Sequence, residues 1–222
     1  MSDSRRYWRK YPRTPHLPFS PGASSDDVWM DMRAAFEGRE VVITEKMDGE
    51  NTTMYRDHIH ARSMDSKHHP SRSWVKGLHH TIADRIPVGW RVCGENLFAK
   101  HSVGYDALPS YFMMFSIWDE SDLCLSWEQT REWCELLDLE LVPVLYEGVW
   151  DEKFVRALAE GLDTDVTEGF VVRLAGEFER DAFREAVAKW VRADHVQTET
   201  HWMHRAVEPN GLADADADAS HG

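Results

Sequence analysis

The chain has 222 residues, of which 42% are hydrophobic, with 10 Trp and a formal net charge of −14. That length and apolar content support one sizeable folded core and exclude a disordered chain. No apolar run approaches the ~18 residues of a membrane span and no signal peptide opens the chain, so a cytoplasmic protein with no membrane role is expected.

Cys93, Cys124 and Cys134 show neither CxxC spacing nor an even count, which suits a reducing compartment. The acidic total argues against a broad basic face for nucleic acid, because phosphate binding relies on Lys and Arg. Charge is unevenly spread. Residues 1–16 carry Arg5, Arg6, Arg9, Lys10 and Arg13 against Asp3, whereas residues 206–222 carry Glu208, Asp214, Asp216 and Asp218 with no Lys or Arg. A narrow basic groove therefore stays open.

Residues 1–25 hold four prolines and no helical period, and read as a basic extended arm. Asp26 or Asp27 is placed to cap a short helix through Phe36. Strands are expected at 40–45, 52–56 and 58–62, the last two joined by a tight turn at Asp57. Trp74, Leu78 and Ile82 at i, i+4 and i+8 predict a helix over 72–85. "WRVCGENL" (90–97) and "YFMMFSIWD" (111–119) read as buried strands. A helix follows in "SWEQTREWCELLD", with Ser126 as N-cap and Glu128 or Gln129 behind it.

A strand at 141–145, a helix at 151–160 and the strand "EGFVVRL" complete this region. The stretch 177–192 is ambiguous: Phe183, Val187 and Val191 keep a helical period, yet its end also suits a strand. Residues 206–222 read as an acidic disordered tail. One mixed α and β domain over residues 26–205 is expected between arm and tail.

The stretch "VVITEKMDGENTTMY" (41–55) interrupts a run of strand formers with Lys46, Asp48 and Gly49. On spacing alone this is a hairpin, because Asp-Gly is a strong turn dipeptide. The surroundings point elsewhere. "EKMDGEN" resembles the nucleotidyl-transfer motif of the covalent nucleotidyltransferase superfamily, which contains ATP-dependent DNA and RNA ligases and mRNA capping enzymes. Its lysine attacks the nucleotide α-phosphate. The further motifs appear in order: "HARS" (60–63), "CGENL" (93–97), "FMMFSIWD" (112–119), "TEGFVVR" (167–173) and "AKWVR" (188–192).

The resemblance implies a role for each residue. Lys46 is the nucleophile, and Glu45, Arg62, Glu95, Phe115, Glu168 and Lys189 bind the nucleotide. Arg62 would reach the nucleotide or its phosphates, Glu95 the ribose hydroxyls and Phe115 the purine face. Glu168 lies at the metal and phosphates, and Lys189 at the α-phosphate. Asn51, five residues after the lysine where DNA ligases and capping enzymes carry arginine, resembles the RNA ligases, above all the second RNA ligase of T-even phages. It is the candidate contact to RNA, with Arg192 in reserve for a second motif lysine that Val187 and Val191 replace. Asp48 stands open as turn former, site contributor or both.

The implied fold is α+β: a minimal nucleotidyltransferase domain of antiparallel sheets flanked by helices, with no appended OB domain. The implied cofactors are ATP and Mg²⁺, or Mn²⁺ in its place. The implied substrate is RNA with 5′-phosphate and 3′-hydroxyl ends, joined through a lysyl–AMP intermediate in RNA repair. Three other readings stay open: a DNA-nick ligase or capping guanylyltransferase, an enzyme that adenylylates ends without sealing them, and a nucleotide or RNA sensor on a degenerate ligase fold. The histidine pairs lack cysteines at finger spacing and read as surface residues.

Overall fold

Val41, Val42 and Ile43 are β-branched and suit a strand buried on both faces, and all three are at most 1% exposed. They lie in β1 (Glu40–Glu45). In this computed structural model, residues 8–24, 27–30, 35–64, 69–193 and 207–213 are described. After β1 come β2 (Glu50–Met54), β3 (Ile59–Ala61), α1 (Ser73–Ile82), β4 (Arg91–Asn96), β5 (Phe112–Trp118) and β6 (Leu123–Cys124). Then follow α2 (Trp127–Leu137), β7 (Glu140–Leu141), β8 (Val144–Val149) and α3 (Glu152–Gly161). The last elements are β9 (Gly169–Leu174), β10 (Phe178–Glu179), α4 (Phe183–Ala186) and β11 (Val187–Val191).

The strands form two sheets. One has four strands in the order β11-β9-β1-β8, all antiparallel. The other runs β10-β6-β5-β4-β2-β3, with β7 pairing β5 in parallel. This is the expected α+β architecture of antiparallel sheets with flanking helices. A mixed core fills the space between the sheets, where Val42 of β1 packs in one cluster with Met113 of β5 and Trp127 of α2. Arg173 of β9 spans the gap, donating to Leu125 O (2.7 Å) and lying over the Trp127 ring. Carbonyls and ring faces thus satisfy a buried guanidinium that the described ion pairs do not include.

Helix α1 lays Trp74, Leu78, Val75 and Ile82 on the outer core of the seven-stranded sheet. Ser126 caps α2 in a full capping box with Gln129, which settles the choice left between Glu128 and Gln129. The expected strand at 141–145 is instead two pieces, β7 and β8, parted at Val142-Pro143. Pro143 lacks the N–H a ladder needs. The ambiguous stretch 177–192 divides into β10, a 3-10 turn, the single turn α4 and β11. Val187 and Val191 therefore follow a strand period of two, and their helical spacing is coincidental.

Two expectations are corrected. Trp29 bridges His16 as a strand partner, so residues 28–30 are extended and do not begin a helix. Asp27 accepts from Ser24 N (2.9 Å) and so caps a turn; residues 31–34 lie outside the described set, and Ala35 beyond them is helical, so the expected helix through Phe36 is corrected at its start only. The second correction concerns the acidic tail, whose residues 207–213 are tied to the domain by backbone hydrogen bonds, with Asn210 alone buried. Asn210 is 4% exposed, accepts from Tyr105 N (2.9 Å) and donates through Nδ2 to Leu97 O (2.7 Å).

Gly211 sits against Asp106, whose carbonyl oxygen would lie 2.4 Å from an added Cβ. Low complexity concealed this anchor, which is made by one asparagine and one glycine. Asn210→Ala strands two buried backbone groups, a cost of about 1–3 kcal/mol. We expect a Tm several degrees lower, readable by thermal melting.

Candidate active site

Lys46 follows β1, and its N–H bonds to Gly169 O of β9 (2.9 Å). Its Nζ is ion-paired and hydrogen-bonded to Glu168, whose side chain is fully buried. Gly169 allows this closeness, since a Cβ there would come within 2.0 Å of Trp190 O. A side chain at 169 would push β9 from β11 and carry Glu168 away from Lys46. Burial alone would lower the Lys46 pKa, but Glu168, Glu95 and Asp48 outweigh it and the ammonium is held above its usual range.

Glu95 of β4 is the counterpart. Burial, reinforced by Glu168, Asp48 and Glu50 against the pull of Lys46, pushes its carboxyl up to about 8. It pairs with Asn51 across β2 and β4 and with Met113 across β4 and β5. Paired residues of neighbouring antiparallel strands share a face, so Asn51, Glu95 and Met113 line up. The Asn51 Oδ1 is buried and has no hydrogen-bond partner among the described residues, as suits an acceptor placed for a ligand donor. Phe115, two residues beyond Met113, is half-buried, with Tyr11 of the arm edge-on at 5.3 Å.

Across the gap, Thr44, Val171 and Lys189 form one row through β1, β9 and β11. The Lys189 pKa is lowered to about 8 by burial and by Lys46 and Arg62, against Asp27 and Glu168. The sequence-derived set therefore converges on Lys46: Glu168, Glu95 and Asp48 act on its charge, and Lys46, Glu168 and Arg62 act on that of Lys189. Glu45 sits at the end of β1 with its N–H on Pro143 O, its carboxyl raised by burial. Arg192 is turned aside, its Nη1 on Thr164 O (2.6 Å) and its N–H on Glu168 O (3.1 Å).

Asp48 holds a structural part alongside its effect on the charge of Lys46. Its carboxylate accepts from Ser102 Oγ (2.6 Å) and Val103 N (2.7 Å), and its N–H donates to Tyr105 Oη (2.8 Å). It ties the lysine turn to the 101–105 loop, which also brings His101 to 3.9 Å from Asp48. Three further contributors escaped sequence reading. His16 and Asp27 lie beside Lys189, and Tyr11 reaches Phe115. His16 and Tyr11 sit in the arm and Asp27 just after it, far from any motif, and nothing local signals their place beside the site.

Two facing sheets with this lysine between them have the ligase nucleotidyltransferase fold. An archaeal ATP-dependent RNA ligase aligns with TM-score 0.57 and 16% identity over 83% of this chain and 48% of that one. A provisionally described ATP-dependent DNA ligase from Aquifex aeolicus gives 0.54 and 21% over 83% and 50%. A mutant Naegleria gruberi RNA ligase with ATP and Mn gives 0.51 and 17% over 70% and 50%. The chain thus spans about half the length of these neighbours, and at these identities the likeness shows the fold. The chain belongs to the RNA ligase family, whose profile matches residues 39–191. No curated protein sequence gives a significant match. Among the described residues, no helix is long and apolar enough to cross a membrane.

Proposed function

We propose that this chain is an ATP-dependent RNA ligase that joins RNA 3′-hydroxyl and 5′-phosphate ends through lysyl–AMP, with RNA repair in the cytoplasm as its setting. The observation that carries this reading is Lys46, paired to buried Glu168 and ringed by Glu95, Asp48 and Lys189. Lys46 Nζ gives up a proton, for which Glu168 is the hydrogen-bonded acceptor, and attacks the α-phosphorus of ATP. A P–N bond forms, the bond to pyrophosphate breaks, and Lys189 offsets charge on the phosphate in flight. An RNA 5′-phosphate oxygen then displaces Lys46 to give a 5′–5′ pyrophosphate, and the 3′-hydroxyl attacks the RNA phosphorus and expels AMP. Each step is a phosphoryl transfer governed by positioning and charge.

Glu95 is suited to the ribose hydroxyls, Phe115 to the base, and Asn51, with its open acceptor, to the RNA side. The residues fit a divalent cation. Three carboxylates, Glu168, Glu95 and Asp48, act on one ammonium. Among the described residues no three ligands form a cage, as suits Mg²⁺ held by one or two carboxylates together with substrate phosphates. Glu168 would hold it, with Mn²⁺ as substitute, and the ion would neutralise phosphate charge.

The test is label transfer. Purified protein, Mg²⁺ and α-phosphate-labelled ATP or GTP are resolved on denaturing gels. We expect a labelled protein band from ATP alone that pyrophosphate reverses and that 5′-phosphorylated RNA discharges. A band from GTP alone would assign capping chemistry. No band from folded, AMP-free protein would overturn the reading in favour of a sensor.

A further inference from the structure

The arm does more than cover β11. Lys189 N–H bonds to Pro15 O (2.9 Å) and Leu17 N–H to Lys189 O (2.8 Å). On its other side, His16 N–H bonds to Val28 O (2.7 Å) and Met30 N–H to His16 O (2.8 Å). Residues 15–17 and 28–30 thus add two short parallel strands to the four-stranded sheet, with His16 level with both Lys189 and Trp29.

Bridged residues project to the same face, and alternate residues to the other. Leu17 and Met30 accordingly enter the core, and the row Thr44, Val171, Lys189 continues through His16 to Trp29. Trp29 stands two strand spacings, about 10 Å, from Lys189.

His16 in this row is fully buried and Trp29 is 49% exposed. The two rings lie 6.0 Å apart, so the indole is braced on one side and open on the other. Phe154 is the other large aromatic among the exposed hydrophobic residues described. It lies at 4.6 Å from Tyr146, away from this row. An indole left in water costs apolar burial, and a flat ring beside a phosphate-binding lysine is what base stacking requires.

We infer that Trp29 is a stacking platform for an unpaired nucleobase of the RNA end held at Lys189, which makes the 28–30 segment paired to the arm part of the substrate site. This rests on the RNA ligase reading. The RNA phosphate is held by charge at Lys189 beside the adenylate on Lys46, and the neighbouring base lies on the indole. Stacking of this kind tolerates any base, because every base offers a π-face.

The test measures Kd for a 5′-phosphorylated single-stranded oligoribonucleotide, and for the same chain with abasic riboses at its terminal nucleotides. Wild type, Trp29→Ala and Trp29→Phe are compared. We expect Trp29→Ala to weaken intact RNA about tenfold or more and abasic RNA less than twofold, with Trp29→Phe retaining most of the affinity. Equal affinity of wild type and Trp29→Ala for intact RNA would overturn the platform. An equal loss on intact and abasic RNA would also overturn it, since the effect would then be on backbone binding or folding. Wild type that takes label from ATP yet binds neither RNA would remove the platform and leave the adenylate step standing. Wild type that takes no label would overturn the ligase reading itself.

Discussion

Lys46→Ala is expected to reduce adenylate transfer to background, a loss of at least roughly 1,000-fold, because it removes the amine that is hydrogen-bonded to Glu168 and placed to attack. Loss of activity alone does not separate a nucleophile from a structural cation. Glu168 is fully buried, and removing Lys46 takes a cation from beside that buried charge, at a cost of up to about 3–5 kcal/mol. Lys46→Ala should therefore melt earlier than wild type as well. Lys46→Arg keeps a cation beside Glu168 but offers a guanidinium that stays protonated and cannot attack phosphorus. We expect it to recover most of the lost melting temperature and none of the label transfer. Recovery of both would remove Lys46 from the nucleophile's place. Recovery of neither would make its role one of shape.

The elements that carry the site were legible because their residues signal locally. β-branched runs marked β1 and β9, and Ser126 with Gln129 marked α2. The motif lysine, Glu95, Phe115, Glu168 and Lys189 came from the resemblance of six motifs, met in order, to those of the nucleotidyltransferases. What sequence could not give was long-range pairing. Nothing in "PHLPFSPG" says that residues 15–17 will pair with Lys189 nearly 175 positions away, or that Trp29 will lie next to them. The same holds for Asn210, whose partners are Leu97 and Tyr105. Asp27 reads as a helix cap by local rule, yet strand pairing of residues 28–30 overrides that preference. Composition also misled at the tail: an acidic, repetitive segment suggests solvation, but six hydrogen bonds through Asn210 and Gly211 fix its first residues.

Glu95→Gln is expected to make the folded protein more stable at alkaline pH and to leave it unchanged near pH 4. The Glu95 carboxyl is raised from 4.5 to about 8 in the folded chain, chiefly by burial. Between those values the folded state keeps a proton that the unfolded chain has released. Stability therefore falls as pH rises through this window, by at most about 1.4 kcal/mol per pH unit, and levels off above 8. Glutamine has no proton to lose, so the variant lacks that slope. Lys189, lowered to about 8, contributes the opposite slope above 8, but it is present in both proteins and cancels in the difference. Thermal melting of the pair from pH 4 to 9 reads the effect directly: the Tm gap should open with pH and close at the acid end. A gap that is constant with pH would mean that Glu95 is ionised in the folded site. The same neutrality bears on function. A protonated carboxyl both donates and accepts hydrogen bonds, as an amide does, so near pH 7 Glu95→Gln should keep more ATP affinity than Glu95→Ala. The two variants part only if the side chain works by hydrogen bonding and not by charge.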